Sequence, residues 1–359
     1  MKYLGNVDLL DIELYTQLRS NKRGFLLEEM LDLFNHHIEN CSKFRSMMRS
    51  EGFLNHETKS LEEFPFLPVR LFKILKMVSV REEDIVKTMS SSGTSGQAVS
   101  KIYLDKHTAL LQTKILSKIV SSFIGNSRIP MIILDCESTV KNRNNFSARA
   151  AGITGFSIFA TKRFFALNEN MTLNVSGLQQ FVEENKTKTI LLFGFTYIVY
   201  KHFYNEMRRL NCYIDLSNGI LIHGGGWKKL TEEAVNNSTL KNLLFSVCGV
   251  TRVHDYYGMV EQTGTIYMEC EYGYLHTSEY SDIIIRNPKN FAVSQKGENG
   301  LIQLLSIVPW SYPGHSVLTE DVGVIIGEDD CTCGRKGKYF QVLGRLKNAE
   351  IRGCSDTFS

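Results

Sequence analysis

The chain has 359 residues, 43% of them hydrophobic and 22% charged, and its 41 basic and 38 acidic residues leave a formal net charge of +3. So even a balance gives no bulk electrostatic case for nucleic acid, and no apolar run is long enough to span a bilayer. Met1-Lys2-Tyr3-Leu4-Gly5 lacks the basic-then-apolar layout of a signal peptide, so the eight unevenly spaced cysteines predict reduced thiols and a cytoplasmic setting.

Residues 8 to 50 read as helical, because Leu27, Leu31, Leu33 and Phe34 recur near helical spacing with charges between them. The prolines of Phe64-Pro65-Phe66-Leu67-Pro68 break that pattern, and residues 1–86 form a mainly helical amino-terminal region. An apolar lead-in, Ile85 to Met89, then opens on Ser90-Ser91-Ser92-Gly93-Thr94-Ser95-Gly96-Gln97. Glycine lets the backbone turn and approach a ligand. Free N–H groups and hydroxyls in such a turn make an anion-binding concavity. Ser91, Ser92, Gly93, Thr94, Ser95 and Gly96 are therefore candidate phosphate contacts. It is not a P-loop, since no Gly-Lys-Ser/Thr follows. A polar hairpin turn is the alternative, because Ser100 to Leu104 reads as a returning strand.

Short apolar runs then alternate with amphipathic segments. The runs are Met131 to Leu134, Ile190 to Phe193 and Gly219 to His223; the amphipathic segments include 106–122 and 176–186. This alternation predicts an α/β core over 87–280, a mostly parallel sheet with covering helices. After residue 280 only short strands and turns follow, from Asp282 to Arg286, Leu301 to Leu305, Val322 to Ile326 and Tyr339 to Leu343. Residues 281–346 thus read as a β-rich subdomain on the same body.

Several strands end in glycine-rich or polar turns, the places where open α/β sheets bind ligands. His223 precedes Gly224-Gly225-Gly226-Trp227, and Tyr256 precedes Tyr257-Gly258-Met259-Val260-Glu261-Gln262-Thr263-Gly264. Asp321 stands in Leu318-Thr319-Glu320-Asp321-Val322-Gly323, and Arg345 in Leu343-Gly344-Arg345-Leu346-Lys347. Each has a plain structural reading: a tight turn, a core aromatic, a solvated carboxylate, a surface charge. Two cysteines one residue apart, Cys331 and Cys333, join Cys270 and His276 as a candidate Cys₃His set of the kind that holds structural Zn²⁺. A redox pair or plain core thiols are the alternatives.

The order of these pieces resembles the adenylate-forming superfamily that includes the acyl-CoA synthetases. More narrowly the chain is similar to the LuxE family of acyl-protein synthetases, with phenylacetate–CoA ligases as larger relatives. The narrow match lies in residues 256–264, Ser311-Tyr312-Pro313-Gly314-His315, residues 331–340 and Ala349-Glu350-Ile351-Arg352-Gly353-Cys354. The resemblance implies the large domain of an adenylate-forming enzyme with its β-rich subdomain. It also implies that the small carboxyl-terminal domain of the larger relatives is lacking, since 14 residues follow Arg345.

The implied first step converts a fatty acid and ATP to acyl-AMP and pyrophosphate. By motif, Ser91 to Gly96 would grip the β- and γ-phosphates, and Gly224, Gly225 and Gly226 would lie against the adenine. Tyr257 and Gly258 would flank the purine, Gln262 or Thr263 would approach the α-phosphate, and Glu261 would hold Mg²⁺. Asp321 would accept from the ribose hydroxyls, with Arg345 adding positive charge near ribose and phosphate. Lys347 and Lys101 are candidates for the cation that the small domain supplies in larger relatives. Residues 347–359 are expected to form a mobile tail. Cys354, nine positions past Arg345, can reach up to ~30 Å along an extended chain. In the family a cysteine here carries the acyl group as a thioester, and a partner fatty acid reductase takes it on to aldehyde. Arg352 stands close enough in sequence to favour the thiolate. Phe156, Phe159, Phe164, Phe165 and the run Phe193 to Tyr197 are candidates for the acyl pocket or for core. An aryl or short-chain acid–CoA ligase of the phenylacetate type and a non-catalytic nucleotide- or partner-binding subunit are the rival readings.

Overall fold

The computed structural model describes residues 9–91, 99–141, 148–227 and 233–346. The apolar runs become strands β4 (Ile129–Cys136), β6 (Ile190–Phe195) and β7 (Gly219–Gly224), in which nearly every residue is buried. Such unbroken burial belongs to parallel strands covered on both faces. With β5 (Ala160–Leu167) and β8 (Arg252–Tyr257) they form the parallel half of one sheet, in the order β5-β4-β6-β7-β8.

Strand polarity then reverses. Next to β8 lie β9 (Tyr267–Glu269) and β10 (Leu275–His276), then β14 (Lys338–Arg345), β13 (Ser316–Glu328), β12 (Gly300–Ser306) and β11 (Ser281–Arg286), each antiparallel to its neighbour. A short β1 (Leu67–Pro68) adds in parallel to β13. The reversal falls at residues 258–266, ahead of residue 281, so β9 and β10 belong by direction with the later strands. That connection also carries the Tyr-Gly-x-x-Glu motif. Ligands favour such a switch at the carboxyl ends of parallel strands.

A separate hairpin, β2 (Ile85–Ser90) and β3 (Lys101–Asp105), pairs antiparallel and brackets the Ser/Thr/Gly loop, whose residues 92–98 lie outside the described set. Directly after β3, Asp105 caps the helix Lys106–Ile124 by accepting from the Thr108 N–H (2.8 Å). Thr108, Gln112, Ile115, Ile119 and Phe123 form its buried stripe. Among the described residues, no helix is long and apolar enough to cross a membrane.

Helix begins at Arg19 rather than near residue 8. The preceding segment is held differently: the main-chain N–H groups of Tyr15 (2.7 Å) and Thr16 (3.1 Å) donate to the Glu279 carboxylate. Tyr15 itself takes a positive φ of 62°, which a helix does not allow. The helix Arg19–Asn40 packs Leu26, Met30, Leu33 and His37 inward. His37 bonds Ser79 Oγ (2.8 Å) and the Pro309 carbonyl (3.0 Å). His315 stacks on it at 4.9 Å and is boxed by Phe34, Phe44 and Phe64.

Burial holds this imidazole pair neutral. The pKa of His315 is pushed down to about 3, first by desolvation and then by His36; that of His37 lies well below its usual value for the same first reason. Protons therefore bind the unfolded chain more readily, so stability is full above about pH 6.5 and falls as pH drops from there toward 3. His315→Leu is expected to flatten that fall by up to about 1.4 kcal/mol per pH unit, read from urea midpoints between pH 7 and pH 4.

Candidate functional site

One carboxylate gathers the site. The Tyr257 hydroxyl donates to Asp321 Oδ2 (2.7 Å), and Arg345 Nε donates to Asp321 Oδ1 (2.9 Å). Tyr257 ends β8, while Asp321 and Arg345 face each other across β13 and β14. Strand pairing thus brings together three residues that lie up to 88 positions apart. Burial and the Asp321 charge lift the Tyr257 pKa well above the usual tyrosine range, so the phenol remains a donor.

Glu261 sits beside this group and is 3% exposed. Its pKa is raised, chiefly by burial and further by Asp321, and the charge of Arg345 opposes the rise. Ser100 closes the far end of the Ser/Thr/Gly loop. Its N–H donates to Ser91 Oγ (2.9 Å), and its carbonyl accepts from the Ser91 N–H (3.0 Å). Lys101, the next residue, is exposed while Ser100 is buried, as strand alternation dictates.

Gly224 closes β7 opposite Tyr256. A Cβ at Gly224 would stand 2.6 Å from the Tyr256 ring, so only glycine allows that packing. Gly225 and Gly226 continue at φ 84° and 69°, the left-handed region that glycine enters without strain. Trp227 closes the turn against Tyr200, centroids 4.9 Å apart. The result is bare backbone at a strand end, a shape that fits a flat ring.

Gln262 and Thr263 bond inward. The Gln262 side-chain amide donates to the carbonyls of Gly314 (2.9 Å), Leu304 (3.1 Å) and His315 (3.4 Å). The Thr263 hydroxyl donates to the Val260 carbonyl (2.8 Å). Gln262 thus fixes the loop that carries Glu261, and the Tyr312 hydroxyl adds a bond to the Glu261 carbonyl (3.1 Å).

His223 and Asp255 enter from the structure alone. His223 Nδ1 lies 3.0 Å from Thr196 Oγ1 and 3.6 Å from Asp255 Oδ1. Burial lowers the His223 pKa to about 3, so this imidazole is neutral. Asp255 precedes Tyr256 on β8, with its pKa raised by desolvation and by Glu269. The available signal was polarity at the ends of otherwise apolar strands, which strand register alone turns into proximity.

Apart from this group, the ligand atoms of Cys270, His276, Cys331 and Cys333 all lie within 4.8 Å of one another. Ser92, Gly93, Thr94, Ser95, Gly96, Lys347 and Cys354 lie outside the described residues.

The model of the acyl-protein synthetase family LuxE matches residues 10–359. The chain belongs to the LuxE acyl-protein synthetase family. A "long-chain-fatty-acid--luciferin-component ligase" of Aliivibrio fischeri is 24% identical over 82% of this chain and 78% of its own length. The protein of the same description from Vibrio harveyi is 21% identical over 91% of this chain and 85% of its own. Among solved structures, an open conformation of 2-hydroxyisobutyryl-CoA ligase is similar with a TM-score of 0.70 at 15% identity, covering 93% of this chain and 77% of that one. The same ligase in its postadenylation state gives 0.69 at 14% identity, over 92% and 69%. The fold is that of an adenylate-forming ligase.

The site's backbone has little slack. Gly224→Ala is expected to destabilise the protein by about 1–3 kcal/mol through the clash with Tyr256, seen as a lower urea midpoint at unchanged m-value.

Proposed function

We propose that this chain activates a long-chain fatty acid as acyl-AMP and then transfers the acyl group to its own Cys354, for delivery to a fatty acid reductase that releases aldehyde. The observation that carries the first half is the Asp321 carboxylate held between Tyr257 and Arg345 beside buried Glu261. The family and the ligase descriptions of its relatives support the substrate class, and the acceptor role of Cys354 rests on the family resemblance. ATP and Mg²⁺ are the cofactors of this reading. A structural Zn²⁺ at the Cys/His cluster is proposed alongside them and takes no part in the chemistry.

An ionised carboxylate offers about four acceptor positions. Tyr257 and Arg345 use two on Asp321 and fix its plane, leaving room for two ribose hydroxyls. Gly224, Gly225 and Gly226 present backbone to the adenine, with Tyr257 and Gly258 on its other side. Gln262 or Thr263 would approach the α-phosphate. Glu261 is the residue to hold Mg²⁺, whose charge would offset the desolvation of that carboxylate. ATP supplies the adenylyl group, and Mg²⁺ screens the phosphate charge.

In adenylation a fatty acid carboxylate oxygen bonds to the α-phosphorus as the bond to pyrophosphate breaks. Backbone donors and fixed cations oppose the charge that spreads over the phosphoryl oxygens. The N–H groups and hydroxyls of Ser91 to Gly96 would follow the departing pyrophosphate. The cation is proposed to be Lys347 or Lys101. In transfer, the Cys354 thiolate forms a C–S bond to the acyl carbon as the C–O bond to AMP breaks, and the thiol proton goes to solvent.

Purified protein is expected to catalyse ATP–pyrophosphate exchange that depends on added fatty acid. Mass spectrometry should then find one acyl adduct on Cys354 without added coenzyme A. If Cys354→Ser still forms the protein thioester, the acceptor is misassigned; if the thioester forms only on coenzyme A, the chain is an acyl-CoA ligase. Fatty acid panels with no exchange at all would favour a binding subunit.

Asp321→Asn removes a charge-assisted acceptor worth about 1.5–3 kcal/mol, so KM for ATP should rise about 10–150-fold. Transfer from preformed acyl-AMP to Cys354 should change much less, which a single-turnover assay reads directly.

A further inference from the structure

We infer that Cys270, His276, Cys331 and Cys333 form a closed structural Zn²⁺ site built from two matching turns. This inference does not depend on the adenylation reading. The first turn is Cys270-Glu271-Tyr272-Gly273, and the second is Cys331-Thr332-Cys333-Gly334. In each, the glycine N–H donates to the carbonyl of the leading cysteine, at 3.0 Å for Gly273 and 2.9 Å for Gly334. Each glycine has a φ of 84°. In each, the N–H two residues on, of Tyr272 or Cys333, bonds the leading cysteine's sulfur. Two turns far apart in sequence thus adopt one geometry, with a backbone donor aimed at each leading sulfur. That is what a metal-bound thiolate needs for its remaining lone pairs.

The spacing of the ligands fits zinc. Tetrahedral bonds of about 2.3 Å to sulfur and 2.0–2.1 Å to nitrogen place neighbouring S and N atoms roughly 3.5 Å apart. Cys333 Sγ lies 3.4 Å from His276 Nε2. The four ligand atoms lie within 4.8 Å of one another, with three of the residues buried. The His276 ring is oriented by stacking on Tyr339 (5.6 Å, 21°) and by the edge contact of Tyr15 (6.3 Å). Three thiolates and Zn²⁺ carry one net negative charge. Arg335 supplies the counter-charge, since its guanidinium hydrogen-bonds Cys333. Arg335 also pairs with Glu271 (3.0 Å) and lies 4.1 Å over the Phe123 ring.

With four protein ligands the site leaves no open coordination position, so its role is structural. It ties the turn after β9 and the end of β10 to the connection between β13 and β14. Lys336 N–H donates to the Tyr15 carbonyl (2.9 Å), so the amino-terminal segment is tied to the same point.

Protein purified without chelator is expected to hold about one equivalent of zinc by elemental analysis. Exchange with Co²⁺ should give the visible d–d and thiolate charge-transfer bands of a tetrahedral thiolate site. Cys331→Ser/Cys333→Ser should lose the metal. His276→Cys should keep it, and so should Cys248→Ser, which alters a buried thiol outside the cluster. Removing the metal should lower Tm by about 5 °C or more. Should the double variant be insoluble, competition between wild-type protein and a chromophoric chelator reads the same affinity. The proposal falls if reduced wild-type protein contains no zinc and takes up neither Zn²⁺ nor Co²⁺. It also falls if Cys331 and Cys333 form a disulfide in protein prepared under reductant.

Discussion

The Asp321 carboxylate joins the two halves of the sheet. One oxygen accepts from Tyr257, the last residue of the parallel half, and the other from Arg345, the last of β14 in the antiparallel half. A carboxylate of which only 11% is exposed is costly to bury unless its lone pairs are filled. Asp321 therefore needs both partners, and each partner needs its own strand in register. At the polarity change this one group is satisfied from both sides. Hydroxyls of a ligand would enter a site already aligned, without reorganising it.

Much of this was legible from residue order, for identifiable reasons. β4, β6 and β7 are nearly unbroken apolar runs because both faces are covered, and such runs stand out in a sequence. Glycines 224 to 226 stand out as a run: Gly224 leaves no room for a Cβ, and Gly225 and Gly226 take a φ that glycine enters without strain. The Cys/His set was visible because thiols and imidazoles are rare and their spacing carries meaning. By contrast, β9 and β10 are three and two residues long, too short to show any period. His223 and Asp255 sit on adjacent strands, so only the β7–β8 register makes them neighbours. Gln262 reads as a ligand contact in its motif, yet three carbonyls draw its amide inward. A long polar side chain has no directional signal in sequence.

The loop bearing Glu261 shows how the amino-terminal region contributes to the site. Gln262 and Tyr312 hold that loop onto residues 304–315. His315, whose carbonyl accepts from Gln262, stacks on His37 of the first long helix. His36 of the same helix stacks on Trp310 at 3.6 Å. The helix packs against the segment that sets where Glu261 stands. Because interiors are close-packed, a shift of the helix would be felt at that carboxylate.

The register of β13 and β14 contains a compensation that places Arg345. Asp321 faces Arg345 and Val322 faces Gly344, but the next pair is Gly323 with Val342, leaving Leu343 unpaired. The ladder then runs one residue out of step to Ile325 and Phe340. There Ile326 is left unpaired, and Gly327 faces Tyr339 in the original frame. One extra residue on β14 is thus cancelled by one on β13. A one-residue slip reverses every side chain across a sheet, so either bulge alone would turn the site end of the ladder against its cysteine-cluster end. With both present, Lys338 reaches buried Asp282 (2.9 Å) at one end while Arg345 reaches Asp321 at the other. Gly344, at φ 138° beside the first bulge, allows the local distortion. Bulges next to functional sites commonly re-aim a side chain, and this pair aims two, one at each end of the same strand.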